Sequence, residues 1–163
     1  NGFIAEEKYL GGKEMASLLF TLKDYPDISI LISSEVLFVP EDLLIERHKK
    51  SNLEPWMREE SVKKREFNGM PGSEVLLYGT KDGISTHYFK FESQGEVGNP
   101  LKPGIILQIK TGGPIAGEMV STAFTTKQVR ELYEKVLTSI RPRPTGDAAG
   151  PPPPDILFIE TGK

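Results

Sequence analysis

Cysteine is absent from this chain, which removes disulfides, thiolate metal sites and cysteine nucleophiles in one step. The absence leaves the compartment open, because disulfide-free proteins occur in cytoplasm and periplasm alike. Histidine is scarce, with only His48 and His87 present. They stand far apart, whereas metal sites cluster their ligands, so no metal and no cofactor is expected. No apolar run approaches the ~20 residues that a membrane-spanning helix requires, so no integral membrane segment is expected. A strong charge of one sign is also missing: the formal charge is -3 and the pI is near 5.5. Nucleic-acid binding normally needs a basic face, and no nucleic-acid partner is expected.

What the chain has is the composition of an ordinary soluble domain, with 163 residues, 37% of them hydrophobic and 26% charged. That length suits one domain with a two-layer core. The basic clusters Arg47-His48-Lys49-Lys50 and Lys63-Lys64-Arg65 are interleaved with Glu46, Glu54, Glu59, Glu60 and Glu66, and read as a mixed solvated surface.

The chain opens on Phe3-Ile4 and a turn at Gly11-Gly12. Two apolar runs, residues 15–22 and 28–38, flank Asp24-Tyr25-Pro26-Asp27, a strong turn signal. They are expected to form an antiparallel hairpin. Pro40 suits the first turn of a helix over residues 40–50, with Glu41 and Asp42 complementing its dipole. Residues 53–60 read as an irregular segment carrying the single tryptophan, Trp56, beside Met57. Residues 61–67 read as an edge strand, charged as edges often are. A turn over Asn68-Gly69-Met70-Pro71-Gly72 follows. Strands 74–79 and 85–92 form a second hairpin across Lys81-Asp82-Gly83. In the latter strand His87, Phe89 and Phe91 share one face.

After the loop of residues 95–103, Ile105-Ile106-Leu107-Gln108-Ile109 is apolar on both faces, as a central strand would be. Residues 111–118 return the chain through a glycine loop. Residues 125–140 are the clearest helix. Thr125 and Gln128 have capping-box spacing, and Val129, Leu132, Tyr133, Val136, Leu137 and Ile140 form one apolar stripe. Arg141 and Arg143 suit its carboxyl end, while Pro142 and Pro144 stop it. Residues 146–154 are a proline-rich linker, and Ile156, Leu157, Phe158 and Ile159 are enough to add a short strand to an exposed edge. The expected fold is α+β, a mainly antiparallel β-sheet packed against one or two α-helices as a two-layer sandwich. Residues 1–145 form the domain, and residues 146–163 are the linker with its candidate edge strand.

Catalytic patterns are few. Ser61-Val62-Lys63-Lys64 satisfies S-x-x-K, and Lys110-Thr111-Gly112 follows a predicted strand as a K-T-G element does in serine β-lactamases. The serine sits in a charged edge region rather than heading a buried helix, and no S-D-N element exists. His48 is expected to face solvent and His87 to be a packed or hydrogen-bonded core residue. The loop of residues 111–117 lacks the G-x-G-x-x-G and G-K-[ST] forms that cradle phosphates. Neighbouring acids such as Glu41-Asp42 and Glu59-Glu60 are poorly placed for general acid–base work. No enzyme is expected.

A set of ordered pieces carries a resemblance. They are Gly2-Phe3-Ile4, Leu43-Leu44 with Arg47, Gly69-Met70-Pro71-Gly72-Ser73-Glu74, and Phe91-Glu92 with Gly95, Pro100 and Pro103. Ile109-Lys110-Thr111-Gly112 and Ser139-Ile140-Arg141-Pro142-Arg143-Pro144 complete the set. The chain resembles the carboxyl-terminal domain of the Tli4-type immunity proteins of bacterial type VI secretion. It departs from that pattern at Leu132-Tyr133-Glu134, where the family tends to carry Leu-Trp-Asp, and at Pro142, where leucine is usual. The resemblance implies a stoichiometric inhibitor that binds a cognate secreted lipase-like effector in the periplasm, and an amino-terminal domain preceding Asn1. The alternative is a general periplasmic, lipoprotein-like α+β domain acting as scaffold or ligand binder. Protein-binding anchors are expected at Trp56 and Met57, an aromatic–methionine pair in a polar segment. Others are expected in the two glycine loops, at Gln94, Glu96, Asn99 and Lys102, and at Ile115 and Glu118.

Overall fold

The structure, a computed structural model, describes residues 15–141. The opening Phe3-Ile4 segment, the Gly11-Gly12 turn, the proline stop after Arg141 and the 146–163 linker and strand lie outside the described residues.

Among the described residues, eight strands and two helices follow in the order β1 Met15–Leu22, β2 Tyr25–Glu35, α1 Leu44–Lys50, β3 Met57–Phe67, β4 Met70–Lys81, β5 Ile84–Ser93, β6 Gly104–Thr111, β7 Gly113–Ile115, β8 Glu118–Val120 and α2 Thr126–Ser139. Six strands form one sheet in the order β1-β2-β6-β5-β4-β3, and β7 and β8 form a small separate hairpin. Every pairing is antiparallel. The first hairpin (β1–β2) joins the β3–β6 meander through β2 and β6, so β6 is central, as its apolar character on both faces predicts.

Alternation along the strands sends neighbouring residues to opposite faces, and the core divides accordingly. On one face Ile28, Ile30, Leu76, Phe89, Phe91, Leu107 and Ile109 meet Val129, Leu132, Tyr133 and Leu137 of α2. On the other face Val75 and Leu77 meet Leu44 and Ile45 of α1. The α+β sheet-and-helix arrangement is as expected, with the short α1 adding a partial layer on the second face. The α2 cap also follows expectation. Thr125 Oγ1 accepts from the Gln128 N–H at 3.3 Å, and the Thr125 N–H donates to Gln128 Oε1 at 2.8 Å.

Several boundaries differ from the sequence reading. Helix α1 begins at Leu44 rather than Pro40. Glu41 and Asp42 stay outside it and reach Arg47 and Lys50, at 3.1 and 2.5 Å. The Glu46 carboxylate instead satisfies the Leu43 N–H at 3.2 Å. Strand β3 begins at Met57, ahead of the expected Ser61. The β3–β4 turn uses only Asn68-Gly69, both at positive φ (48° and 74°), so Met70, Pro71 and Gly72 are already strand. The β1–β2 turn falls at Lys23-Asp24, which leaves Pro26 within β2. Residues 111–118 are not a plain loop, because β7 opens there and pairs with β8.

One polar cluster ties α2 to the sheet. Glu74 on β4 is fully buried, and its carboxylate accepts from Ser61 Oγ at 2.7 Å, Arg65 Nη1 at 2.8 Å and Tyr133 Oη at 3.3 Å. Lys63 Nζ lies 3.4 Å away. A buried carboxylate is tolerable only when paired and hydrogen-bonded in this manner.

Candidate functional site

The side chains with catalytic potential hold the fold together. His87 is 6% exposed. Its Nδ1 shares a 2.8 Å hydrogen bond with Thr111 Oγ1, and its Nε2 a 3.0 Å bond with Thr126 Oγ1 at the start of α2. Burial pushes the His87 pKa down, against the opposing charge of Glu60. This is the packed, hydrogen-bonded histidine that the strand pattern predicts. His48 departs from expectation: its side chain is only 11% exposed, and Nε2 lies 2.8 Å from Glu59 Oε1, linking α1 to β3.

The S-x-x-K pattern dissolves for a geometric reason. Ser61 and Lys64 lie on one strand at odd spacing, so their side chains leave opposite faces. Ser61 is moreover committed to Glu74. In the Lys110-Thr111-Gly112 triplet, Thr111 is buried against His87. Gly112 takes φ +68°, and a Cβ there would lie 2.3 Å from the Ser85 carbonyl oxygen. Only glycine allows the chain to leave the central strand at that point. Among the described residues, no group of three or more His, Asp or Glu side chains could hold a metal ion.

The surface is more informative. At the end of the sheet where β5 passes to β6, residues 94–103 form a loop braced by its own bonds. The Glu96 N–H donates to the Lys102 carbonyl at 2.8 Å and Asn99 Nδ2 donates to Glu96 Oε2 at 2.8 Å. Lys102 Nζ also donates to the Glu96 carboxylate. These partners hold the Glu96 carboxyl below the usual range, the Lys102 bond contributing most. The Gly98 N–H donates to the Leu37 carbonyl at 2.7 Å, fastening this loop to the segment before α1.

Between them and the Asn68-Gly69 turn with the start of β4 lies a groove of about 520 Å³, lined also by Glu92, Gly104 and Ile106. Arg47 from α1 pairs with Glu92 there, so two of the ordered family-like pieces meet in space. Four apolar side chains stand out around this end, with exposures of 82% for Leu101, 64% for Val39, 50% for Val97 and 47% for Phe38. The groove's acids Glu41, Asp42 and Glu96 already have cationic partners in Arg47, Lys50 and Lys102.

The other predicted anchors lie at the opposite end of β6, which places them roughly 23 Å away at about 3.3 Å per residue. Trp56 is half-buried over Gly79, and with Ile84, Thr86 and Met119 it lines a shallow depression of about 450 Å³ edged by Lys81 and Asp82. Its indole N–H is buried without a hydrogen-bond partner. Met57 packs against the α1 cluster. Ile115 and Glu118 flank the Ala116-Gly117 turn of the small hairpin, half-buried and exposed respectively. Gln94 is exposed beside the groove and holds Pro71 through its backbone N–H at 2.7 Å. The structure therefore gathers Gln94, Glu96, Asn99 and Lys102 at one end and Trp56, Met57, Ile115 and Glu118 at the other.

Sequence reasoning passed over Phe38, Val39, Val97, Leu101 and Met119. A signal existed for two of them: Val97 and Leu101 are apolar residues inside a Gly/Asn/Pro loop, where no strand or helix face turns them toward a core.

Comparison with known proteins places this geometry. Residues 1–145 match the family described as Tle cognate immunity protein 4 C-terminal domain. Immunity protein TplEi of the type VI secretion system from Pseudomonas aeruginosa, solved without ligand, is 21% identical with a TM-score of 0.69, covering 82% of this chain and 46% of that one. The same protein complexed with an "L" peptide gives 20% identity and a TM-score of 0.66, over 82% of this chain and 49% of that one. A structure of the Tle4-Tli4 complex gives 19% identity and a TM-score of 0.67, over 81% and 46%. These likenesses establish the fold, and the chain spans about half the length of the structures it matches. No curated protein matches. With the family match covering most of its length, the chain belongs to the Tle cognate immunity protein 4 C-terminal domain family.

Proposed function

We propose that this member of the immunity-domain family binds a cognate secreted lipase-like effector and blocks it by protein–protein contact, in the periplasm. The contact we assign is the groove end of the sheet. The observation that carries the surface assignment is the set of exposed apolar side chains, Phe38, Val39, Val97 and Leu101, mounted on loops fastened by the Gly98–Leu37 bond. Exposed apolar clusters of this kind mark interaction sites, and a braced loop loses little freedom on binding.

Protection from a toxin calls for affinity near nanomolar, about 12 kcal/mol, and hence for a few well-placed anchors. The self-paired acids around the groove argue against the alternative, a small-ligand or scaffold domain, because ligand sites present convergent polar groups to their ligand. His87 and Ser61, the nearest approaches to catalytic groups, serve the fold, which favours an inhibitor over an enzyme. Among the described residues no helix is long and apolar enough to cross a membrane.

The direct test mixes the purified chain with a candidate lipase-like effector, the first choice being any such protein encoded beside its own gene. Co-purification and stoichiometric loss of lipase activity are expected. An effector that neither binds nor loses activity would overturn the assignment for that pair.

A further inference from the structure

Helix α1 is short but firmly seated. Leu44 and Ile45 are buried against Val75 and Leu77 of β4, so its outer side chains project from a fixed base. Three of them carry charge in different directions. His48 reaches Glu59 on β3, and Lys50 reaches Asp42 at 2.5 Å. Arg47 divides its guanidinium between two carboxylates: Nη1 donates to Glu41 at 3.1 Å, and Nη2 donates to Glu92.

Those two carboxylates belong to the two halves of the exposed apolar patch. Glu41 follows closely on Phe38 and Val39, and the near end of that segment is tied where the Gly98 N–H donates to the Leu37 carbonyl. Glu92 stands at the root of the loop that carries Val97 and Leu101. It pairs with Ile106 across β5 and β6, and the adjacent Ser93 Oγ accepts from the Ile105 N–H at 2.8 Å. Lys90 Nζ lies 2.9 Å from the second oxygen of Glu92, which makes this carboxylate a fixed point.

We propose that Arg47 is the positioning residue of the effector-binding surface: by bridging Glu41 and Glu92 it sets the Phe38–Val39 tip against the Val97–Leu101 loop. This role rests on the groove-end contact proposed above. A guanidinium suits the task because its planar fork directs two N–H groups at separate acceptors, whereas an ammonium is a point charge. The Lys50–Asp42 pair also ties the segment, but side-chain exposures of 70% and 53% leave it open to water and salt.

Glu41 is itself half exposed, so the bridge contributes little to global stability. Its consequence is order. A tip held in place loses less freedom on binding. A tip that wanders offers the partner only the fraction of molecules in which it is correctly placed, and the apparent affinity falls by that fraction.

Arg47→Lys isolates the bridge, because it keeps a positive charge beside Glu92 and removes the fork. In the free chain, the Gly98 amide reports the tie at Leu37. It should exchange with solvent deuterium roughly 10-fold faster in the variant, with the Ile109 amide of central β6 unchanged. Against the lipase-like effector that co-purifies with the chain, the variant should bind about 10-fold more weakly, or ~1.4 kcal/mol. With Phe38→Ala and Val39→Ala already present, adding Arg47→Lys should cost less than ~3-fold, because residues acting through one another are not additive.

Unchanged Gly98 exchange, or faster exchange with unchanged affinity, would overturn the role of Arg47 alone. The full ~10-fold loss in the alanine background would also overturn it, since Arg47 would then touch the effector independently of the tip. Unchanged affinity on Phe38→Ala with Val39→Ala would overturn the groove-end contact, and the role of Arg47 with it.

Discussion

Arg65 on β3 grips the carboxylate of Glu134 on α2 with both terminal nitrogens, at 2.8 and 2.6 Å, while its Nη1 also reaches the buried Glu74 at 2.8 Å. One guanidinium therefore joins an edge strand, the neighbouring strand and the covering helix. Tyr133 and Glu134 are the two positions at which the chain differs from the Leu-Trp-Asp pattern it resembles, and Glu134 keeps the acid that this geometry needs.

Arg65→Ala should cost about 3 kcal/mol, because it removes the nearest cation from the fully buried carboxylate of Glu74 and leaves it only Lys63, Ser61 and Tyr133. Glu134→Ala should cost less, since its side chain is 38% exposed and water can replace it on Arg65. Urea denaturation of the two variants should give that order, and equal losses would refute the account.

Stability should fall with acid in two stages. Burial raises the Glu74 carboxyl, but the bonds from Arg65 and Ser61 and the Lys63 charge outweigh it and hold the group below its usual 4.5. Such a group adds stability above its unfolded pKa and loses it as pH falls through the folded value. His87 has the opposite charge type: burial lowers its pKa from 6.5. The unfolded chain then takes up the proton first, so stability declines as pH drops below ~6.5 and levels off below the folded pKa. His87→Gln should abolish the upper stage and leave the lower, as read from denaturation midpoints between neutral and acid pH. An unchanged upper stage would show that His87 is not its source.

Gly79→Ala tests the seat of Trp56. An added Cβ would lie 2.4 Å from the Trp56 carbonyl oxygen and 2.9 Å from its Cε3. The backbone contact cannot be relieved by a side-chain rotation, so the segment must shift, at about 1–3 kcal/mol for overpacking of this kind. Trp56 is the only tryptophan, so its emission reports the movement directly. A lowered midpoint with a shifted emission maximum is expected, and unchanged values for both would mean that the close approach is not a real constraint.

Much of this was legible in the sequence, because periodicity is local. The α2 stripe, the Thr125 cap, the Asp82-Gly83 hairpin and the central β6 each follow from residues a few positions apart. The start of α1 is not, because the spacing does not say whether Glu41 and Asp42 serve the helix dipole or pair with Arg47 and Lys50 six and eight residues on, as they do. The half-burial of His48 is not legible either, since its partner Glu59 sits on another element. That the two glycine loops lie at opposite ends of β6 is not legible in the sequence, because a list of loops carries no direction. Exposure of β1 was hidden too, because an apolar run looks alike whether the core or open surface lies beside it.

The groove end and the Trp56 end make different predictions about effector binding, and exposure separates them from folding. Leu101 is 82% exposed and Val97 50%, so Leu101→Asp and Val97→Asp should leave stability within about 0.5 kcal/mol. If these side chains are buried by the effector, each acid must be desolvated without a partner. The loss should then reach about 2 kcal/mol or more, roughly 30-fold in Kd. Met119 is 59% exposed at the other end, so Met119→Asp has a comparable starting exposure and should leave affinity unchanged. Titration calorimetry on the three variants, each first shown to unfold at the parent's temperature, gives the comparison. Weakening by Met119→Asp with no effect at Leu101 and Val97 would move the contact to the Trp56 depression. That outcome would also give the unpartnered indole N–H of Trp56 a role at the interface.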